Sequence, residues 1–401
     1  MICTRFELVT SCLSSKRSKP TELADHFSCR KRVQKYEDFS NRRKKIFIFE
    51  ENFHPAPHYS VYFQNSNDNK IFSHFLRYIQ NATAKNHQQT KKTTKMKLFY
   101  APLQGYTDHI YRSIHNEVAG GIDEYFSPFV RCDGGTVRNK DLRDIAPENN
   151  CGVSFVPQVI AAGIEELTPL LDIIEQAGYS RIDLNLGCPF PLQTGRGRGA
   201  AALANPDKVE QMMQELKRHD TLKASVKMRS GFTSTDEGLK TIEILNNFDL
   251  QHITIHPRLG VQQYKGQPDL EAFARLKEAS HHPIVYNGVI TSTDDIDRIA
   301  SLFPDLYGIM IGRGLLARPT LAKEWREERE RSEGERLATC LEMHRRLYEY
   351  ACRTLQGDQQ VLARMQTFWE CQKPLVDKKV YKRLMKTASL RNYEEAVRSL
   401  E

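Results

Sequence analysis

The sequence predicts an α/β protein built on a (β/α)8 TIM barrel, with a C-terminal helical domain after it and a poorly ordered N-terminal extension before it. Three observations carry that prediction. From Lys97 onward, eight short β-rich runs alternate with segments of helical period; a parallel strand pair needs a crossover, and eight strand-helix units close a ring. After about Ala317 the strands stop and only the helical period remains. Before Met96 there is no sustained period of either kind. A doubly wound open sheet is the rival fold, and it loses because no Gly-x-Gly-x-x-Gly follows the first strand.

The extension, residues 1–95, holds 18 of the 58 basic residues and 8 of the 50 acidic ones. It carries basic runs at 42–45 and 91–95, and its aromatic patches at 47–53 and 74–78 argue against a wholly unstructured segment. We expect a disordered or weakly ordered appendage, with Met96 a plausible native start. No apolar stretch of secretory-signal length follows the first charges, and Glu7, Glu22 and Asp25 speak against a mitochondrial presequence.

The eight expected strands are 97–103, 124–130, 155–160, 181–187, 223–229, 252–258, 283–288 and 306–313. Between them, 164–177 places Leu167, Leu170, Leu171 and Ile174 on one helical face, and 206–218 opens on Pro206, a residue suited to a first helical turn. The barrel is expected over 96–320 and a helical domain over 321–401, with helices at 335–355, 360–370, 378–386 and 393–400.

Composition excludes several classes. With 40% hydrophobic and 27% charged residues the chain is ordinary globular material, and no window approaches the roughly 18 uncharged apolar residues a membrane span needs. Nine cysteines are scattered without Cys-x-x-Cys pairs, so we expect no structural metal, no disulfide framework and a reducing compartment, the cytoplasm. The formal charge of +8 belongs to the extension, because the remainder holds 40 basic against 42 acidic residues. Only local patches can argue for a polyanion.

In such a barrel the carboxyl ends of the strands converge on one mouth, where activity resides. Here those ends read Ala101-Pro102-Leu103-Gln104, Gln158, Asn185 with Cys188, Lys227 with Arg229, His256 with Arg258, Asn287-Gly288 and Gly312-Arg313-Gly314. Cys188 follows a strand that breaks into Gly187 and Pro189, which puts a thiol beside an open pocket; its plainer reading is a buried small hydrophobe. Asn287-Gly288 and Gly312-Arg313-Gly314 occupy the seventh and eighth loops, where barrels commonly bind phosphate, and Arg313 can add a bidentate bond. Tight turns are the plainer reading of either motif alone. If the phosphate belongs to a flavin, Lys227 can set its ammonium against the electron-rich pyrimidine edge, and Gln158 can offer an amide to the ring. For Lys227 and His256 the alternatives are a snorkelling surface lysine and a core histidine.

Within the tail, Lys373, Lys378, Lys379, Lys382, Arg383 and Lys386 face only Asp377 as an opposing charge. That is either a solvated helix face or a phosphate grip.

These motifs, taken in order with Thr107-Asp108 and Gly197-Arg198-Gly199, resemble the tRNA-dihydrouridine synthases over 97 to about 325 and, less strongly, through the tail. Pro268-Asp269-Leu270 departs from the Ala-Asp-Trp common in that family, and Leu103 stands where Met is frequent. The resemblance implies an FMN-dependent reductase that uses NADPH or NADH, as a transient reductant, to convert a uridine of tRNA to 5,6-dihydrouridine. It implies that Pro102, Leu103, Gln104, Gln158, Lys227, His256, Asn287, Gly288, Val289, Gly312 and Arg313 hold FMN and that Cys188 is the proton donor. Asn185, Arg258 and Tyr264 are expected on the substrate side, with Arg196, Arg198, Lys378, Lys379, Lys382 and Arg383 on the tRNA backbone. A monomer without metal is expected.

The chemistry agrees with those residue types. Reducing the C5=C6 bond of uracil puts a hydride on C6 while a proton arrives at C5, and a thiol with an ordinary pKa of ~8.5 is protonated at neutrality yet yields to a developing enolate. A base must be extruded to reach such a mouth. Two other readings fit part of the pattern: an FMN barrel acting on a small-molecule enone or free pyrimidine, and a non-catalytic RNA-binding barrel.

Overall fold

The computed structural model describes residues 96–400 and the backbone of three strands within 32–64. Two compact units divide the chain, 1–93 and 94–401. In the first, β1 (Arg32–Lys35), β2 (Lys45–Glu51) and β3 (His58–Gln64) pair antiparallel in that order. Otherwise the extension, expected to be weakly ordered, lies outside the described residues.

The second unit contains β4 (Lys97–Tyr100), β5 (Glu124–Phe126), a hairpin of β6 (Cys132–Asp133) and β7 (Thr136–Val137), then β8 (Phe155–Val156), β9 (Gln158–Val159), β10 (Arg181–Leu186), β11 (Lys223–Gly231), β12 (Leu250–Leu259), β13 (Ile284–Tyr286) and β14 (Gly308–Ile311). Apart from the hairpin they form one parallel sheet in the order β8-β5-β4-β14-β13-β12-β11-β10-β9. Its two end strands are a single stretch of chain parted only by Pro157, which has no amide hydrogen for the ladder. The sheet is therefore a closed ring of eight strands, as the alternation predicts. The first strand, β4, pairs with the last, β14, setting Lys97 beside Gly308, and this pairing seals the ring.

Strand lengths differ from expectation where loops carry β-like composition. The expected 124–130 run stops at Phe126; beyond it Ser127 Oγ accepts from the Gln158 amide and Val130 bridges to Val159. The expected 306–313 run is cut to Gly308–Ile311 because a short helix, Arg313–Ala317, begins at once. The helices Pro206–Arg218 and Lys378–Lys386 occupy the predicted residues, the first capped by Asn205, whose side chain accepts from the Lys208 amide.

Because successive side chains on a strand point to opposite faces, each barrel strand feeds two cores. Leu98, Tyr100, Tyr125, Ile309 and Ile311 belong to the large cluster shared with the helices, whereas Phe99, Ala101, Phe126, Val156, Val285 and Met310 form a separate cluster inside the ring. On β9 to β12 the corresponding places go to Gln158, Asp183, Asn185, Ser225, Lys227 and Thr254, which are neighbours in register. One wall of the interior is apolar and the other polar.

The tail comprises helices Glu333–Thr354, Asp358–Glu370, Lys378–Lys386 and Leu390–Arg398. Its core closes around Tyr393, whose hydroxyl meets His344 Nε2 at 2.6 Å and accepts from Trp369 Nε1 at 2.7 Å. No gap separates it from the barrel near residue 320: Arg346 pairs with Glu117 at 2.6 Å, Arg364 with Asp108 at 2.7 Å, and Tyr106 donates to Glu370 at 3.0 Å. Among the described residues no helix is long and apolar enough to cross a membrane.

Candidate active site

Cys188 stands just past the end of β10, half-buried, in a loop whose shape is set by two neighbours. Asn185 Oδ1 accepts from the amides of Gly187 at 3.0 Å and Cys188 at 2.9 Å. Gly199, at φ +59°, returns against the same residue so closely that a Cβ there would lie 2.6 Å from the Cys188 carbonyl oxygen. Only glycine fits both the conformation and the space. Burial pushes the thiol pKa above its ordinary value, although a hydrogen bond from the Phe190 backbone and the charges of Arg229 and Lys227 pull the other way. A thiol so placed keeps its proton at neutral pH and can give it up to a strong enough base.

Beneath the loop lies a chain of buried polar side chains. Asn185 Nδ2 donates to Gln158 Oε1 at 2.7 Å, Gln158 Nε2 donates to Asp183 Oδ2 at 2.6 Å, and Ser225 Oγ donates to Asp183 Oδ1 at 2.6 Å. Burial raises the Asp183 pKa to about 6, against the pull of the Ser225 and Gln158 bonds and of the Lys227 charge. Gln158 has no exposed surface and its amide is held at both ends, so it forms the floor of the mouth. Asn185 is likewise engaged at both ends of its amide.

Beside this floor the charge is positive. Lys227, next to Asn185 in register, and Arg229, Arg258 and Arg313 make no ion pair among the described residues. Loss of hydration lowers the Lys227 pKa to about 8, with Arg229 adding to the shift. His256 lies among all four cations; desolvation and then their charges hold its pKa well below the usual value. Its Nε2 accepts from Arg258 Nη1 at 3.1 Å, which fixes the ring as a neutral acceptor. Arg258 Nη2 donates to Gly266 O at 2.9 Å, while its buried Nε has no partner. The Tyr264 ring lies 4.8 Å from the Arg313 guanidinium and 5.5 Å from that of Arg229, joining the two sides of the rim.

Glycines draw the last two loops together. A Cβ on Gly314 would lie 1.9 Å from Ile290 O, and one on Gly288 would lie 2.1 Å from the Tyr286 hydroxyl. Asn287 Nδ2 donates to Met310 O at 2.8 Å, locking the end of β13 to β14. Gly312 is next to Ala101 and Leu103, so the turn holding Pro102, Leu103 and Gln104 borders the same cradle. Val289 is exposed at its edge.

Sequence reasoning named Tyr264 and Val289 but missed the rest of an apolar rim. The large hydrophobic side chains exposed among the described residues are Phe190, Leu192, Val261, Tyr264 and Val289, all on loops after β10, β12 and β13. The signal was present in Phe190-Pro191-Leu192, three apolar residues in an otherwise glycine- and arginine-rich loop.

Arg198 does not belong with the expected backbone-binding cations. Its side chain is 1% exposed and bonded to Glu166 at 2.6 Å, Asp133 at 2.8 Å and the Cys132 carbonyl at 2.8 Å. It clamps the Cys188 loop to the β6 hairpin. Arg196 is mostly exposed, with one bond to Asp133 at 2.8 Å. Lys378, Lys379, Lys382 and Arg383 are all exposed and without ion pairs among the described residues, while Leu384 anchors the other face of their helix. That helix follows Glu370 and Cys371, which lie by the mouth: Tyr106 bonds Glu370, and the charge of Arg313 reaches Cys371. Elsewhere, Asp172, Glu175 and His219 bring ligand atoms within 4.8 Å of one another, with Glu175 already bonded to His219 at 2.8 Å.

The sequence model of the dihydrouridine synthase (Dus) family matches residues 99–400. A tRNA-dihydrouridine(16) synthase of Pseudomonas putida is 30% identical over 234 residues, covering 56% of this chain and 72% of that protein. The tRNA-dihydrouridine synthase B of Pasteurella multocida is 28% identical over 229 residues, covering 57% and 68%.

Proposed function

The chain belongs to the dihydrouridine synthase family, and on that footing we propose that it reduces a uridine of tRNA to 5,6-dihydrouridine, with FMN as cofactor and NADPH or NADH as transient reductant. One observation carries the reading: a half-buried thiol shares a barrel mouth with four cations that make no ion pair among the described residues. Such a mouth suits an anionic cofactor, and the orphaned Arg258 Nε and the glycine-drawn loops after β13 and β14 fit a phosphate group. We assign Pro102 to Gln104, Lys227, His256, Asn287 to Val289, Gly312 and Arg313 to holding FMN.

Bound FMN would supply the hydride that reaches C6 of the uracil. The remaining work falls to this chain. Cys188 gives its thiol proton to C5, which its raised pKa allows because the proton is still present at neutrality. Asn185 holds the thiol's loop, and Arg258 and Tyr264 border the space for the extruded base. Phe190 and Leu192 offer apolar surface to an unstacked nucleotide. Arg196 and the exposed Lys378, Lys379, Lys382 and Arg383 contact phosphates. The six described cysteines are all free thiols, which suits a reducing compartment such as the cytoplasm.

Purified protein is expected to be yellow, to bleach with NADPH, and to restore dihydrouridine to tRNA from cells lacking it. Cys188→Ala should lower the rate at least ~100-fold with the flavin spectrum intact; wild-type turnover by that variant would remove the assigned acid. Turnover of free uridine but not tRNA would favour a small-molecule reductase, and a colourless protein that binds tRNA and refuses FMN would favour a binding module. Replacing Lys378, Lys379, Lys382 and Arg383 together by Ala should reduce the salt dependence of tRNA binding by roughly three in log-log slope.

A further inference from the structure

We infer that Asp183 is a positioning residue for the reaction proposed above: as the acceptor-only end of a buried hydrogen-bond chain, it dictates which way the amides of Gln158 and Asn185 point and thereby holds the Cys188 loop. The argument rests on hydrogen-bond direction. A carboxylate can only accept. Asp183 accepts from Ser225 Oγ and from Gln158 Nε2, both at 2.6 Å. With its NH2 committed to Asp183, Gln158 must turn its oxygen toward Asn185, and it accepts from Asn185 Nδ2 at 2.7 Å. Asn185 must then turn its own oxygen toward the loop, where the amides of Gly187 and Cys188 donate to it at 3.0 and 2.9 Å.

Reversing the chain needs an end residue that can donate, and the Asp183 carboxylate cannot. Turned over, Asn185 would present its NH2 to two backbone N–H groups, and the loop would lose both bonds. The four side chains involved are buried, Asp183 and Gln158 fully so, and in such surroundings an unmade hydrogen bond is costly. Asp183 touches neither the thiol nor the mouth. It acts through two intermediaries.

The test reads the thiol directly, without cofactor or RNA. Cys188 alkylation by iodoacetamide is followed by mass spectrometry across pH 7–10 in wild type, Asp183→Asn, Asp183→Asn/Gln158→Glu and Ser225→Ala, with melting temperatures measured in parallel. The Asp183→Asn change supplies a donor at the end of the chain and so permits the reversed direction; adding Gln158→Glu then restores an acceptor-only member facing Asn185. Asp183→Asn should alkylate at Cys188 at least ~5-fold faster near pH 8, as the thiol leaves its desolvated position. The double variant should return to within ~2-fold of wild type, and Ser225→Ala, which removes a donor but not the direction, should stay there too.

Unchanged alkylation in Asp183→Asn overturns the inference. So does a faster rate that the double variant fails to reverse, because that pattern means general loosening. If Asp183→Asn does not fold, a folded double variant with wild-type alkylation supports the directional account, and an unfolded or fast-alkylating one overturns it. Absence of dihydrouridine synthesis by the wild type would sink the reaction and leave these alkylation results standing.

Discussion

From β13 round to β8 the inner wall of the barrel is made of Val285, Met310, Phe99, Ala101, Phe126 and Val156; from β9 to β12 it is made of Gln158, Asp183, Asn185, Ser225, Lys227 and Thr254. The two walls enclose the same space and solve different problems. The apolar wall packs across it, Phe99 lying 6.1 Å from Phe126 and stacked 5.2 Å from His252. The polar wall would be costly to bury unless its groups satisfied one another, and most do. Three buried atoms of β12 are left without a partner, His252 Nε2, Thr254 Oγ1 and Arg258 Nε, and of these only Arg258 Nε lies among the cations around His256.

If the division is real, substitutions on the two walls should separate stability from chemistry. Phe99→Ala removes a fully buried ring and should cost about 3–5 kcal/mol in chemical denaturation, with FMN affinity of the folded protein changed by no more than about twofold. A comparable loss of affinity would mean that the apolar wall shapes the cofactor site. Lys227→Met should do the reverse, weakening FMN binding by about 100-fold, or roughly 2.7 kcal/mol, while leaving the folded protein as stable or more so.

The same lysine predicts a pH dependence. Its folded-state pKa is lowered to about 8, so in the free protein the ammonium is charged below that pH and neutral above it. FMN affinity should therefore fall as pH rises through about 8, and calorimetry in buffers of different ionisation enthalpy should register proton uptake on binding between about 8 and 10. A pH-independent affinity over that range would detach Lys227 from the cofactor. The smallest effect tests the polar wall's own accounting. Thr254 Oγ1 is buried without a partner, so Thr254→Val should leave stability unchanged or raise it by up to about 1 kcal/mol; a loss above that would reveal a partner for the hydroxyl.

How much of this was legible in the sequence depends on whether a residue's role is set locally. Ile182, Leu184 and Leu186 alternate with Asp183 and Asn185, so the strand and its polar face could be read directly, and the ordered strand ends gathered the mouth. Asp183 could have been singled out by the same alternation, as an acid at an inward place. Its partners could not, because the donors it accepts from, Gln158 and Ser225, come from strands that precede and follow it. Arg198 shows the opposite failure. Arg196-Gly197-Arg198-Gly199 reads as a flexible cationic loop, yet Asp133 and Glu166, remote in sequence, seal one of the two arginines and leave the other largely exposed. The β6–β7 hairpin was invisible because two-residue strands leave no period.

The pairing of β4 with β14 has a consequence for synthesis. The first barrel strand to leave the ribosome must wait for the last, since Lys97 finds its neighbour only when Gly308 has been translated. Until then both flanks of a growing sheet offer bare backbone donors and acceptors, a template for joining another unfinished copy. Nascent chains stalled before β14 should accumulate in the insoluble fraction or on chaperones, and the release of such chains into solution on adding codons 308–311 and the helices beyond would time the closure to a few residues of translation.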